Sequence, residues 1–152
     1  MKTIPNDYLK FWRIIRYYMK VKYGLTQSDL DMILFLYSEG YFSSLQFKEY
    51  GQIISWEMKR FTKLVRLGWI EIFRKRNGAE RGLYQLSYKS KRVVSDIYLK
   101  LSGEEIPTTI GANPMFAKNV SYTDKVYRNM IKQMNDYQRA QKLKKLAENK
   151  IR

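Results

Sequence analysis

Asn77-Gly78 is the strongest turn signal in the sequence, because tight hairpin turns need positive φ angles that Asn and Gly accept. Two short segments flank it, one starting at Ile70 and one ending at Leu86, and both are rich in residues that favour strands. They predict an antiparallel β-hairpin. A hairpin alone is marginally stable in water, so the segments around it must supply a surface on which it packs.

Helical segments surround the hairpin. Apolar residues recur at helical spacing, with glycine near the end of each segment, over residues 6–23, 26–39, 43–50 and 55–67. A fifth helix is predicted over residues 88–101. The predicted fold class is therefore mainly α with a small β-hairpin, in the element order of a winged helix-turn-helix core.

The chain continues beyond this core. Residues 1–101 are predicted to form the winged helix-turn-helix domain, and residues 102–120 an irregular linker or arm that contains two Gly and two Pro. Residues 121–152 are predicted to form a basic amphipathic C-terminal extension helix. Because a lone helix needs a surface on which to bury its apolar side, we expect this helix to pack on another chain.

Charge is concentrated in blocks along the sequence. The formal net charge is +15, and residues 55–92 carry eleven cations and three anions. Such a field attracts a polyanion, and double-stranded DNA is the first candidate. The predicted DNA-binding residues lie on the fourth helix and on the hairpin, and they are Lys59, Arg60, Lys63, Arg66, Arg74, Lys75, Arg76 and Arg81.

The residue inventory argues against an enzyme. The sequence has no Cys and no His, which removes thiolate chemistry, the usual zinc sites and the side chain most used in acid–base catalysis. Glu104-Glu105 is a carboxylate pair in a Gly/Pro-rich break with no partner base, and Asp29 and Asp31 fit the dipole at a helix start. We expect no catalytic residues, no metal site and no cofactor.

The stretch "KRFTKLVRLGWIEI" and the return strand that follows it resemble the MarR family of regulators over about residues 8–101. Leu64 and Gly68 match the end of that family's recognition helix, and Leu86-Ser87 is similar to the end of its return strand. The resemblance implies a winged-helix DNA-binding protein of the bacterial cytoplasm that dimerises through the helices flanking its core.

Two departures from the family pattern affect how DNA would be contacted. Glu80-Arg81-Gly82 only approximates the acidic–basic element of the wing, and Trp56 and Glu57 occupy the first turn of the recognition helix. Base-reading positions there are usually small or polar, whereas a phosphate contact needs only a cation within reach. We therefore expect the duplex to be contacted mainly through its backbone.

Aromatic residues interleave with cations in the first helix, "FWRIIRYYMKVKY". They could stack on single-stranded bases, but at helical spacing a core or an oligomer interface is the more frequent role. The predicted interface of a homo-oligomer or larger assembly is formed by Trp12, Ile15, Met19, Val126, Met130, Met134 and Tyr137.

An alternative assignment is a structural component of a phage virion, such as a ring or connector protein at the head–tail junction. A winged-helix fold can act there as a packing module, and a channel that holds DNA also favours a basic surface. No apolar run approaches membrane-spanning length and the first residues lack a signal-peptide pattern, so neither a membrane partner nor export is expected.

Overall fold

The computed structural model describes residues 8–54 and 57–151. Its helices are α1 (Tyr8–Tyr23), α2 (Gln27–Tyr37), α3 (Ser44–Tyr50), α4 (Met58–Arg66), α5 (Tyr88–Leu101) and α6 (Tyr122–Ile151), and its strands are β1 (Ile70–Arg74) and β2 (Leu83–Leu86). A short 3-10 turn spans Pro114–Phe116. The mainly helical fold class with one hairpin is thereby confirmed. Ser55 and Trp56, at the predicted start of the fourth helix, lie outside the described residues, and Glu57 precedes α4 as its N-cap residue.

The described residues form two compact units, one within residues 26–95 and the other from residues 8–25 together with 96–151. This division differs from the expected boundary after residue 101, because it falls inside α5 and groups the arm and α6 with α1.

In the unit formed by residues 26–95, α2 and α3 begin where the sequence predicts. The Thr26 side chain accepts a hydrogen bond from the amide of Asp29, which caps α2. Ser43 and Gln46 form a complete capping box at α3, in which each side chain bonds the other residue's backbone amide. Helix α2 buries Leu30, Met32, Ile33 and Leu36, whereas Tyr37 at its end is exposed.

The hairpin pairs Ile70 with Leu86, and its regular register ends beyond Ile72 at a β-bulge. A third segment joins it at Phe42, whose backbone exchanges hydrogen bonds of 3.0 and 2.8 Å with Tyr84. The sheet edge at β2 is therefore paired with the loop that leads into α3.

An aromatic cluster packs against Tyr84 of the hairpin. Phe61 of α4 lies at its centre, with ring centroids 4.7 Å from Phe47, 4.9 Å from Tyr84 and 6.4 Å from Phe42. Phe42, Phe47 and Phe61 are buried. Rings at these separations bury large apolar areas and fix α3, α4 and β2 against one another.

The second unit is held together by contacts between α1 and α6. The ring of Phe11 meets Tyr137 edge-on at 5.4 Å, and Tyr17 stacks on Tyr127 at 3.8 Å. Tyr17 also donates a hydrogen bond to the carboxylate of Asp124. Helix α6 therefore packs within its own chain along its first half, which differs from the expectation that its apolar side packs on another chain.

The segment between α5 and α6 is folded rather than extended. Ile106, Asn113 and Met115 are buried, and the Asn113 side chain donates to the Pro107 carbonyl and accepts from the Met115 amide. The Gly and Pro residues that predicted a linker instead shape a segment whose backbone groups are satisfied by side chains of the same unit.

The predicted interface residues differ in how far their side chains are buried. Ile15, Met19 and Met134 are buried in their own chain, which corrects their assignment to an oligomer interface, because they have no surface left to offer a partner. Trp12 and Tyr137 are half-buried. Val126 and Met130 are exposed, so of the predicted set they remain the most accessible to another chain.

Candidate nucleic-acid interface

Helix α4 presents its four cations in two different environments. Phe61 and Leu64 face the core, whereas Lys59 and Arg66 are exposed and form no ion pair with the described residues. The other two cations of this helix turn toward the start of α2. The four cations that were expected to contact DNA together therefore form two groups. Lys59 and Arg66 are exposed and unpaired within the described part of the chain, and the other two form a paired set with a carboxylate.

Asp29 is the acceptor of that paired set. Its side chain is only 3% exposed, and its two carboxylate oxygens accept hydrogen bonds of 2.7 Å from Arg60 Nη1 and 3.0 Å from Lys63 Nζ. Arg60 Nη1 lies 3.3 Å from the Thr26 hydroxyl as well. These contacts join the first turn of α2 to the middle of α4.

The ionisation of Asp29 follows from this geometry. Burial alone would raise the pKa of its carboxyl, but hydrogen bonds from Arg60, Lys63 and Thr26 lower that pKa below its ordinary value. Asp29 is therefore a carboxylate at neutral pH. Sequence reasoning assigned it to the helix dipole. The missed signal was its spacing, four residues before buried Ile33, which puts it on the inner face of α2.

The hairpin carries the remaining predicted cations, and all of them are exposed. Arg74 is held in place, because its guanidinium pairs with Glu80 at 3.1 Å and donates to the Arg81 carbonyl at 3.1 Å. Lys75, Arg76 and Arg81 have no carboxylate partner among the described residues. Arg76 Nε donates to the Gly78 carbonyl at 3.3 Å, and its charge, like those of Lys75 and Arg81, is not neutralised by a carboxylate of the described residues.

The tip itself has a defined backbone. Asn77 and Glu80 exchange two hydrogen bonds of 3.1 and 3.0 Å, which encloses Gly78 and Ala79 in a tight turn. Gly78 has a φ of 60°, in the left-handed region that Gly adopts without strain. The predicted Asn-Gly turn is present, but Asn77 is the paired residue before the turn and Gly78 its first central residue.

A concave surface of about 600 Å³ lies on the inner side of the hairpin. It is lined by Ser44, Ile72, Arg74, Lys75, Arg76, Ala79, Arg81, Gly82 and Tyr84. Four of these side chains are cationic, so the concavity attracts anions. It joins the hairpin to the start of α3.

Tyr41 and Phe73 form a feature that the sequence did not predict. Their rings stack at 4.1 Å while remaining 53% and 48% exposed. The pair lies on the same unit as the hairpin cations, and Phe73 stands where the register of the hairpin shifts between Ile72 and Arg74. Such a pair places apolar surface beside the basic surface.

The base of the hairpin is anchored to α5 through Trp69. The Ser90 hydroxyl donates a 2.6 Å hydrogen bond to the Trp69 carbonyl, and the Ser87 amide donates to the same oxygen at 3.1 Å. Lys89 Nζ lies 3.9 Å from the centroid of the Trp69 ring, a cation–π contact. The base of the hairpin is therefore fixed.

Among the residues that the structure describes, no group of three or more Asp and Glu side chains is placed to hold a metal ion. Within the same residues, no helix combines the length and apolar character needed to cross a bilayer.

Comparison with known proteins gives structural neighbours only. No protein-family model matches the sequence, and no curated protein is a significant match. A mutant MarR from E. coli complexed with operator DNA is similar, with a TM-score of 0.45, 13% identity, and coverage of 83% of this chain and 85% of that chain.

Two further structures are similar at the same level. Wild-type apo MarR from E. coli has a TM-score of 0.44 and 14% identity, covering 87% of this chain and 97% of its own. AbfR in its disulfide form has a TM-score of 0.44 and 16% identity, covering 92% of this chain and 86% of its own. At these identities, operator binding is a property of the mutant E. coli MarR in that complex and is not assigned to this chain.

Proposed function

We propose that this protein is a non-enzymatic DNA-binding protein that contacts duplex DNA mainly through the phosphate backbone. One observation carries the proposal. The tip of a well-anchored hairpin presents Lys75, Arg76 and Arg81 to solvent, each without a carboxylate partner among the described residues. A cation that is exposed and not paired with a carboxylate can displace a counterion condensed on the DNA when it contacts a phosphate. This release of counterions is the main source of backbone affinity.

The surface of α4 adds to this set. Lys59 and Arg66 are exposed on the same unit, and Arg74 contributes positive charge while bracing the hairpin through Glu80. The rigid backbone at Asn77 and Glu80 limits the entropy that the tip loses on binding. A basic helix and a basic hairpin on one folded unit match the backbone-positioning part of a winged-helix contact.

Base selectivity is expected to be low. A cation needs only to reach a phosphate and does not have to match a base-edge pattern, so the exposed cations of the hairpin suit backbone contact. We expect the ratio of specific to non-specific affinity to stay below the roughly thousandfold that marks dedicated regulators.

Fluorescence anisotropy with two unrelated duplexes of equal length tests the proposal. We expect similar affinity for both, and a logarithm of affinity that falls linearly with the logarithm of salt concentration. Absence of binding at about 50 mM salt would overturn the proposal, since backbone contacts are strongest at low salt. If selection from a random pool of duplexes gave a sharp consensus sequence, base readout and not backbone contact would explain the binding.

A further inference from the structure

We infer that Asp29 is an internal counter-ion of helix α4 that withdraws Arg60 and Lys63 from DNA and thereby sets how strongly this surface binds phosphate. The inference rests on the proposed function. It separates α4 into two cations that are available to DNA, Lys59 and Arg66, and two that are occupied by the protein's own carboxylate.

The geometry favours the internal contact over an external one. Both carboxylate oxygens are used, one by each cation, at 2.7 and 3.0 Å. The Asp29 side chain is 3% exposed, so in the paired state the carboxylate has little contact with water and its hydrogen bonds come from the protein. Losing one cation would leave the buried carboxylate with only part of its charge compensated, which is unfavourable. A phosphate contact at an exposed surface returns less, because water and salt screen it.

The position of Asp29 explains why the contact persists. Thr26 caps α2 and fixes the first turn in which Asp29 lies, and the Arg60 guanidinium also approaches the Thr26 hydroxyl. Asp29 is buried, and Arg60 and Lys63 belong to the same compact unit, so the fold of that unit holds the carboxylate and both cations together. The pair therefore both braces α4 and lowers the positive charge that α4 presents.

The consequence for binding is a weaker non-specific affinity than the sequence suggests. Four cations on α4 would release up to four counterions, whereas two available cations release up to two. A protein that must leave random DNA gains from this reduction, because non-specific binding comes almost entirely from phosphate contacts.

The variant Asp29→Asn tests the inference with little change in shape. Loss of the carboxylate frees Arg60 and Lys63, so we expect duplex binding to tighten, by up to about tenfold for each released cation at about 0.1 M salt. The salt slope should steepen by up to about 1.8 for two added phosphate contacts. Asp31→Asn is the matched control, because Asp31 lies on the same helix and forms no ion pair with the described residues; we expect it to bind close to the parent.

A second pair of variants decides the matter even if Asp29→Asn does not fold. Lys63 and Arg66 lie three residues apart on α4 and carry the same charge. We expect Arg66→Gln to flatten the salt slope by up to about 0.9, and Lys63→Gln to leave it unchanged, because Lys63 is held by Asp29. Folding of every variant is checked by circular dichroism and cooperative urea unfolding.

The outcomes separate this inference from the function on which it rests. If the parent protein fails to bind duplex DNA at low salt, the proposed function fails and the inference with it. If the parent binds, but folded Asp29→Asn binds no tighter, or Lys63→Gln weakens binding as much as Arg66→Gln, then Asp29 does not withdraw these cations. In that case backbone binding stands and the role assigned to Asp29 is overturned.

Discussion

Asn135 of α6 clasps the backbone of Ile106 through both ends of its side-chain amide. Its Nδ2 donates to the Ile106 carbonyl at 2.9 Å, and its Oδ1 accepts from the Ile106 amide at 3.0 Å. Both residues are buried. A side chain here replaces the pairing that a neighbouring strand would give, and it fixes the segment after α5 against α6.

Replacing Asn135 with Ala should lower the free energy of unfolding by at least about 2 kcal/mol. The change leaves a buried amide and a buried carbonyl of Ile106 without partners, and each such group costs about 1–3 kcal/mol. Urea unfolding measures the loss. Asn129→Ala is the control on the same helix, because Asn129 is exposed. An equal, small effect of both changes would show that the clasp does not stabilise the unit.

The pairing of Asp96 with Lys100 predicts a dependence of stability on acid. Lys100 is 4% exposed and lies 3.1 Å from Asp96, which Lys22 also contacts at 3.2 Å. Burial alone would raise the pKa of Asp96, but hydrogen bonds from Lys100 and Lys22 lower that pKa. A lowered pKa gives stability that is present above the unfolded value and is lost as pH falls through the folded value.

Asp96→Asn should therefore cost about 1–3 kcal/mol at neutral pH, because Lys100 and Lys22 each lose a charged acceptor while Lys100 keeps its contact with Glu104. Its stability should also fall less steeply than that of the parent as pH drops below about 4. Urea unfolding across this pH range measures both effects. Asp136→Asn, an exposed carboxylate on α6, should change neither. If the free energy of unfolding fell equally steeply with pH in the parent and in Asp96→Asn, the assignment would be contradicted.

Tyr17 predicts the opposite pH dependence at the alkaline end. Burial, and then the hydrogen bond to Asp124, raise the pKa of Tyr17 to about 12. The stability from this raised pKa is present below about pH 10 and is lost as pH rises toward 12. Tyr17→Phe should be less stable than the parent at pH 8, and the difference should shrink by pH 11. Tyr122→Phe, an exposed tyrosine, serves as the comparison, and a gap for Tyr17→Phe that stays constant with pH would contradict the prediction.

Phe61 and Phe73 give a matched test of the aromatic cluster. Phe61→Ala removes the ring at the centre of the cluster and should cost about 3–5 kcal/mol. Phe73→Ala removes a half-exposed ring and should cost much less. Thermal and urea unfolding compare the two, and a similar loss for both would show that α4 and the hairpin do not depend on Phe61.

Local signals predicted most of the elements. Some residues have strong short-range preferences that decide the local backbone structure, such as Ser43 at a helix start and Gly78 in a turn. The structure has both residues in these positions. Tertiary pairing was harder to predict. Nothing near Asp29 in sequence indicates Arg60 and Lys63, which lie some thirty residues away and meet it only after α4 packs on α2.

The assignment of the apolar stripe on α6 failed for a related reason. A stripe shows that a helix buries one side, but it does not say whether the partner is the same chain or another. Met134 is buried in its own chain and Val126 is not, although both belong to the predicted stripe. The alternative of a virion component gains no support from the fold, and assembly with another chain stays a prediction that concerns Val126 and Met130.

The measurement that tests the account most directly is the salt dependence of duplex binding by the triple variant Lys75→Ala, Arg76→Ala, Arg81→Ala. The control is Lys118→Ala, Lys125→Ala, Lys142→Ala, which removes three exposed cations from the other compact unit. We expect the hairpin variant to flatten the slope of log affinity against log salt by up to about 2.7, three contacts at about 0.9 each, and the control to keep the parent slope. Equal slopes in parent and hairpin variant would show that the hairpin cations do not meet phosphates, and would contradict the central claim.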